Sequence, residues 1–456
     1  MKEVDAIVVG AGPAGAEAAI TAGSCGLDVL LFDEATAAGG QVYRAGPEAD
    51  LLRKRLSESG SQLAFEHRVW TASHLNGGEF EVASIGPKGS LVARASALII
   101  ATGAVERFYP RPGWTLPGVI GLGAATLMIK AHNVLPGRRV LVAGPGPLAL
   151  LVAHLILSKG GTVVAVTDPN PLSAWLRALP AMTSRPDLLM QGGRWMAELA
   201  GRRVPVLRGW DMRRIDGNQQ VESVTIGNEV RQKRFAVDAV CFGDGLVPST
   251  EFYRLLNAEL EYDAIRGGWV PILDDAQQTT IKGLYGVGDG AALCGVGAAP
   301  LTGRIAAFAV AHSLGKLPTT QYREQHLVET RSLQQALRFG REMVRMVQPR
   351  AAAMRDVPED TIVCRCEDLS LKDLRTAIEQ GSCEINALKA ATRCGMGPCG
   401  GRICGEAAAA AMESTGLTRQ AIGYWTSRPP IRPISIEALT GDFDYADIPV
   451  SEPAPL

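Results

Sequence analysis

The sequence predicts an α/β protein made of two nucleotide-type strand–turn–helix units and a small cysteine-rich unit towards the C-terminal end. Three observations carry this. Two apolar strand-like runs each pass through a glycine-rich turn into an apolar helix, first over Ala6–Gly15 and again over Arg139–Ala149. Glycine is abundant, at 51 of 456 residues, while aromatics are only 5%, which favours glycine-turn architecture over an aromatic binding face. Six of the nine cysteines (Cys364, Cys366, Cys383, Cys394, Cys399, Cys404) fall in one short stretch.

The chain is too long for one ordinary core, and domain-size statistics suggest about three units. At 46% hydrophobic and 20% charged residues it is not a disordered protein. Its 46 Lys and Arg nearly cancel its 47 Asp and Glu, so no global field draws it to phosphate backbones, and nucleic acid is not an expected partner. The most apolar long stretch, Val140–Leu157, is interrupted by Gly144-Pro145-Gly146-Pro147 and His154, so no transmembrane segment is expected. The start, MKEVDAIVVG, lacks the pattern of a signal peptide. A cytoplasmic location follows as an expectation, with any membrane association running through a partner.

In chain order, the strand Ala6–Val9 leads through its turn to a helix from Ala14 to about Ser24 and a strand at Val29–Phe32. Short alternating strands at Glu79–Ser84 and Ser90–Arg94 lead into Ala97–Ile100 and the turn Ala101-Thr102-Gly103. The second unit runs from Arg139–Ala143 by a helix to Thr162–Val166, with further buried strands at Val237–Phe242 and Gly283–Val287. From Gln321 to Arg350, Leu333, Leu337, Met343 and Val347 recur at helical spacing and predict a connector helix. In the cysteine-rich stretch one helix is opened by Ser370 and closed by Gly381, and another covers Ile385–Thr392. The prolines of Arg428–Pro433 predict an extended arm lying on a neighbouring surface. The implied division is 1–105 with 241–320, 106–240, a connector of 321–358, a cysteine-rich unit of 359–414 and an arm of 415–456.

Gly10-Ala11-Gly12-Pro13-Ala14-Gly15 is a GxGxxG between strand and helix. Its first glycine permits the tight turn, its second lets backbone approach a pyrophosphate, and its third lets helix and strand pack closely. Asp33 stands at the end of the next strand, where a carboxylate accepts from ribose hydroxyls, and Glu34 could substitute for it. Glycines serving only a structural turn are the bland alternative. The second turn, Gly144-x-Gly146-x-x-Ala149, keeps the pattern with alanine in third place. Its candidate acid, Asp168, lies one place out of register and precedes Pro169. NAD(P)H binding and a degenerate fold that holds another adenine nucleotide, or nothing, are evenly weighted alternatives there.

Cys364-Arg365-Cys366 and Cys399-(Gly400-Gly401-Arg402-Ile403)-Cys404 form C-x-C, 32 intervening residues and C-x4-C. Four thiolates on two tight loops suit an iron–sulfur cluster, and Gly395, Gly397, Gly400 and Gly401 offer bare backbone N–H donors. A four-cysteine zinc site is the alternative, although zinc knuckles usually separate paired cysteines by two to four residues. Cys394 competes with Cys399 or Cys404, since Cys394-x4-Cys399 has the same gap. Cys383 is expected to pack at a helix start. Cys25, Cys241 and Cys294 are isolated and read as small buried residues, so thiol–disulfide chemistry is not expected. The six histidines (His67, His74, His132, His154, His312, His326) show no metal spacing, and no catalytic side chain is nominated.

The ordered set Gly10–Gly15, Gly39-Gly40-Gln41, Ala101-Thr102-Gly103 and Gly283–Asp289 resembles the flavoproteins with two Rossmann-like dinucleotide-binding domains, the group containing thioredoxin reductase. That resemblance implies FAD, with Gly288-Asp289 at its ribityl chain and pyrophosphate, Gly40-Gln41 along the flavin, and Ala101–Gly103 closing the passage to the second domain. The cysteine stretch resembles the small [2Fe–2S] domain called bacterioferritin-associated-ferredoxin-like, and the resemblance favours Cys364, Cys366, Cys399 and Cys404 as ligands. Adding Gly39–Arg44, Gly113–Val119 and Gly397–Gly401, nearly the whole chain looks like the alpha subunits of bacterial opine oxidases, heteromeric proline and hydroxyproline dehydrogenases, and hydrogen cyanide synthase.

The closer resemblance implies an FAD-containing, amino-acid-oxidase-like beta subunit that oxidises a C–N bond, and in some assemblies a small third subunit. Some members hold an additional FMN between subunits. The implied role is to relay electrons from the beta subunit's flavin to an acceptor. A stand-alone NAD(P)H-dependent flavin oxidoreductase passing electrons through the cluster, and a purely structural subunit, are the competing readings.

Overall fold

The computed structural model describes residues 1–44, 46–348 and 353–440. Its first sheet runs, edge to edge, Gln62–Ala64, Val29–Phe32, Lys2–Val9, Gly89–Ile100, Phe80–Gly86 and Arg68–His74. Leu284–Gly286 joins alongside Leu98–Ile100. The Lys2–Val9, Val29–Phe32 and Gln62–Ala64 neighbours are parallel, whereas Phe80–Gly86 pairs antiparallel on both sides. Parallel strands are buried on both faces, and Val29–Phe32 is accordingly an unbroken apolar run with every residue buried.

The two short strands expected at Ser90–Arg94 and Ala97–Ile100 are one strand of 12 residues. Ala93, Ala95 and Ala97 keep the inward alternation across the join, so nothing in the side chains ends the strand there. Its first half pairs with the antiparallel hairpin and its last three residues with Leu284–Gly286.

The second sheet is wholly parallel, in the order Val206–Arg208, Thr162–Asp168, Arg139–Ala143, Ala239–Phe242 and Val119–Gly121. The apolar helix Pro147–Ser158 packs against it through Val152, Ala153 and Ile156, all fully buried. In the first unit the helix Pro13–Ser24 lies against the helix Ala299–Ser313 at very close range: a Cβ on Gly303 would come within 2.1 Å of the Ala14 carbonyl oxygen.

The connector is a single helix, Thr319–Met346, seated by Leu333, Gly340, Val344 and Met346. In the cysteine-rich unit, Leu371–Glu379 carries a capping box, with the Ser370 hydroxyl accepting from Asp373 N–H and the Asp373 carboxylate accepting from Ser370 N–H. Ile385–Thr392 is also helical. The arm is non-helical over 423–435, and Ile431 N–H donates to the Trp70 carbonyl at 2.9 Å. It is not extended throughout, because Arg419–Ile422 and Glu437–Thr440 form short helices; Thr418 caps the first. Residues 441–456 of the arm lie outside the described residues. Among the described residues no helix is long and apolar enough to cross a membrane.

Candidate functional site

The first glycine turn is shaped by two close approaches that only glycine permits, at Gly10 and Gly15. Gly10 has φ +105°, and a Cβ there would lie 2.4 Å from the Ala101 carbonyl oxygen. A Cβ on Gly15 would lie 1.9 Å from the Gly10 oxygen, so the helix starts directly under the strand end. Gly12 caps the helix, Pro13 begins it, and a Cβ on Gly12 would meet nothing within 4 Å. Open space therefore faces a helix N-terminus that no side chain caps among the described residues, an arrangement suited to a pyrophosphate.

Asp33 closes one side of this space. Its carboxylate accepts from Ala11 N–H at 2.5 Å and from Ala35 N–H at 2.7 Å. Burial raises its pKa, opposed by these two donors. Gly40, at φ +55°, would place a Cβ 2.9 Å from Gly12 Cα, so the Gly39–Gly40 loop lies on the turn. Thr102 donates through Oγ1 to the Ser249 carbonyl, and Ser249 N–H donates to the Gly103 carbonyl. Gly288 sits against Ala14, and Asp289 accepts through Oδ1 from Cys294 and Gly295 N–H at 2.9 and 3.1 Å. These segments converge on one cradle. Glu34 is turned away, exposed and paired with Arg68 at 3.3 Å, and Gln41 is exposed and accepts from Arg44.

The cysteine-rich loops bring five sulfurs together. The Sγ atoms of Cys364, Cys394 and Cys404 lie within 4.8 Å of one another, all buried. Cys399 contacts Cys404 and Cys366, and Cys366 is exposed. Thiol donors on Cys394 and Cys404 hold Cys364 far below the ordinary thiol range. Cys399 is drawn down to about 5, chiefly by Cys404, while contact with Cys364 pushes Cys394 up to about 12. Backbone N–H groups of Gly395 and Glu367 point at Cys364, and those of Gly401 and Ile403 at Cys399. Burial raises Cys366, and contact with Cys364, Cys394 and Cys399 raises Cys404, so the thiolate character rests on Cys364 and Cys399. Soft sulfur with backbone donors fits an iron–sulfur cluster, whose potential such donors tune. Cys383 stands outside this group, exposed rather than packed, because the Gly381–Cys383 turn projects from between two helices.

Cys25 is half-buried rather than buried, and burial raises its thiol; Cys241 and Cys294 are buried and unsuited to redox exchange. Burial pushes the Cys241 and Cys294 thiols well above their usual range, and Cys294 donates to Asp289.

Several residues with no sequence signal join the two regions. Arg402 donates from Nε to Glu251, from Nη1 to the Cys399 carbonyl and from Nη2 to the Ile431 carbonyl. The Trp425 indole covers Gly401 and Gly405, where a Cβ would come within 2.8 and 2.6 Å of its Nε1. A cavity of about 90 Å³ lies at this junction, lined by Ser249, Thr250, Arg254, Gly401, Arg419 and Trp425.

The second glycine turn is differently furnished. Asp168, 5% exposed, accepts through Oδ1 from Asn170 N–H and Nδ2, and through Oδ2 from Trp175 Nε1 at 2.9 Å. Nearby, burial pushes Glu106 up to about 7, opposed by N–H groups of Gly123, Ala124 and Leu122 at a helix N-terminus.

Residues 4–315 match the pyridine nucleotide-disulphide oxidoreductase family, and residues 359–442 match the sarcosine oxidase A3 domain. The opine oxidase A chain of Rhizobium meliloti (strain 1021) is 32% identical, the alignment covering 95% of this chain and 97% of that one. Hydrogen cyanide synthase subunit HcnB of Pseudomonas protegens is 31% identical over 95% of this chain and 96% of its own. Among solved structures, L-proline dehydrogenase from P. horikoshii shares the fold with a TM-score of 0.73 at 21% identity, over 96% of this chain and 79% of that one. Thioredoxin reductase of T. acidophilum shares it over 69% of this chain, with a TM-score of 0.53 at 19% identity, covering 99% of that one. The cradle at Gly10–Gly15 and the relatives agree: the chain belongs to the pyridine nucleotide-disulphide oxidoreductase family of flavin-dependent oxidoreductases and, within it, to the family of opine oxidase A and HcnB subunits.

Proposed function

We propose that this chain is the FAD- and [2Fe–2S]-carrying electron-transfer subunit of a heteromeric oxidase or dehydrogenase acting on the C–N bond of an amine or imino acid of the opine, proline or hydroxyproline kind. The observation that carries it is the gathering of five cysteine sulfurs in a unit clasped to the flavin-type domain by Arg402. The relatives named as subunits of opine oxidase and hydrogen cyanide synthase support a partner chain, for which an FAD-containing, amino-acid-oxidase-like beta subunit is the reading.

In this reading Gly10, Gly12, Pro13, Ala14 and Gly15 present the helix N-terminus to the pyrophosphate of FAD, and Asp33 faces the ribose while Glu34 stands outside the cradle, paired with Arg68. Gly40, Gln41, Ala101, Thr102, Gly103, Gly288 and Asp289 border the remainder of the cofactor. FAD supplies acceptance of electron pairs and their release one at a time. Cys364, Cys366, Cys399 and Cys404 are the proposed cluster ligands, with Cys394 the fifth sulfur in reach. Glycine at 401 and 405 lets the Nε1 edge of Trp425 come close against the cysteine loop.

Iron, sulfide and flavin analysis of the purified chain tests this. The expected result is one flavin and about two irons per chain. Cys404→Ser is expected to lose iron while keeping flavin, and Cys394→Ser to keep both. Zinc in place of iron overturns the relay, and loss of iron in Cys394→Ser moves that residue into the ligand set.

A further inference from the structure

We propose that the second dinucleotide fold is closed by the chain's own connector, with Met346 and Val347 standing where a nucleotide pyrophosphate would lie. Such a fold binds nucleotide through two features, bare glycine backbone at the helix N-terminus and an acid at the end of the second strand. Both are already used here. Val347 Cγ1 lies 3.2 Å from where a Cβ of Gly146 would sit, so a phosphate approaching that backbone meets a methyl group.

The acid is engaged as completely. Both Asp168 oxygens accept from side chains of its own loop and helix, Asn170 and Trp175. Asn170 Nδ2 also donates to the Met346 carbonyl at 2.9 Å, which joins the acid to the connector end. Arg107, 1% exposed, donates from Nη1 to the Val347 carbonyl and from Nη2 to the carbonyls of Leu246 and Gly267. Met346 itself is buried with Ala178 and Met182 of the helix that follows Asn170. The occupant is therefore built in and held from two sides.

The second unit acts as a socket that seats the connector rather than as an entry port for a nicotinamide hydride donor. Arg107 Nε also lies 3.4 Å from Glu406, at the start of the helix that follows Cys404, so the same residue that pins the stopper touches the cysteine-rich unit. This inference is independent of whether the cysteines hold iron, and its test does not read iron.

The experiment uses the full flavin-loaded chain, so that the first site is taken, with NADH and NADPH as probes. Calorimetry is combined with hydrogen exchange over residues 144–150 and 341–348. The expected dissociation constants for the wild type are weaker than about 1 mM, with exchange unchanged in both segments. The Val347→Gly, Asn170→Ala double variant removes the methyl, one side-chain donor to Asp168 and the tie to the Met346 carbonyl, and is expected to bind at least ~10-fold more tightly. Saturable micromolar binding by the wild type, with protection at 144–150, overturns the proposal whatever the variant does. A folded double variant, judged by circular dichroism and flavin content, that gains no affinity overturns it equally.

Discussion

The two glycine turns start from the same strand–turn–helix plan and end in different states. At the first, Asp33 is braced by backbone N–H groups of Ala11 and Ala35, and nothing stands in front of Gly12. At the second, Asp168 accepts from the side chains of Asn170 and Trp175 in addition to backbone N–H groups of Asn170 and Gly146, and Val347 covers Gly146. A glycine fingerprint thus reports a backbone shape. Whether the shape receives a ligand depends on which side chains arrive from elsewhere in the chain.

The strongest way to break this comparison is to add one methyl group to each turn. Gly10→Ala drives a Cβ into the Ala101 carbonyl at a positive φ, and is expected to cost ~3 kcal/mol or more and most of the bound flavin. Gly146→Ala meets only the Val347 methyl and carries the backbone strain alone, about 1–2 kcal/mol, with flavin content unchanged. Flavin-to-protein ratios and denaturant midpoints measure both.

The next effect separates the units by pH. Burial raises Glu106, beside the second sheet, from 4.5 to about 7, so the folded state holds this proton more tightly than the unfolded chain. The resulting stability is full below the unfolded value and is lost as pH rises through about 7, a change of roughly 2–3 kcal/mol. Glu106→Gln should flatten that slope in urea titrations; an unaltered slope places the titrating group elsewhere.

The smallest and sharpest contrast is between the two acids. Asp33→Asn is expected to weaken flavin binding about 10-fold, while Asp168→Asn leaves flavin in place and costs about 1–2 kcal/mol by unmatching the donors of Asn170 and Trp175. Flavin titration and thermal melting read the two separately, and equal flavin loss in both variants would remove the distinction.

Local features were legible wherever the signal lay within a few residues. Val29–Phe32 and Arg139–Ala143 are apolar runs stopped by turns, and Ser370 announces its helix through Asp373. The cysteine spacing brought out the metal-site candidates, including the fifth sulfur at Cys394. Strand continuity through Ala95 and Ser96 was not legible, because it depends on the parallel partner Lys2–Val9, which pairs on both sides of the join. The contents of the second turn were not legible either. Asp168 being one place out of register raised the doubt, but no local pattern shows Trp175 turning back or Val347 arriving from the connector. Arg402 was a spacer between cysteines in the sequence, and only folding reveals its three partners.

Those three partners limit how far the chain behaves as a set of interchangeable modules. Arg402 belongs to the cysteine loop, Glu251 to the flavin-type domain and Ile431 to the arm that also pairs with Trp70. Transplanting the cysteine loop onto another flavoprotein would carry the sulfurs but leave a guanidinium without its carboxylate and without the returning arm. The transferable unit is therefore the loop together with its two distant anchors, Glu251 being held by a residue it never neighbours in sequence.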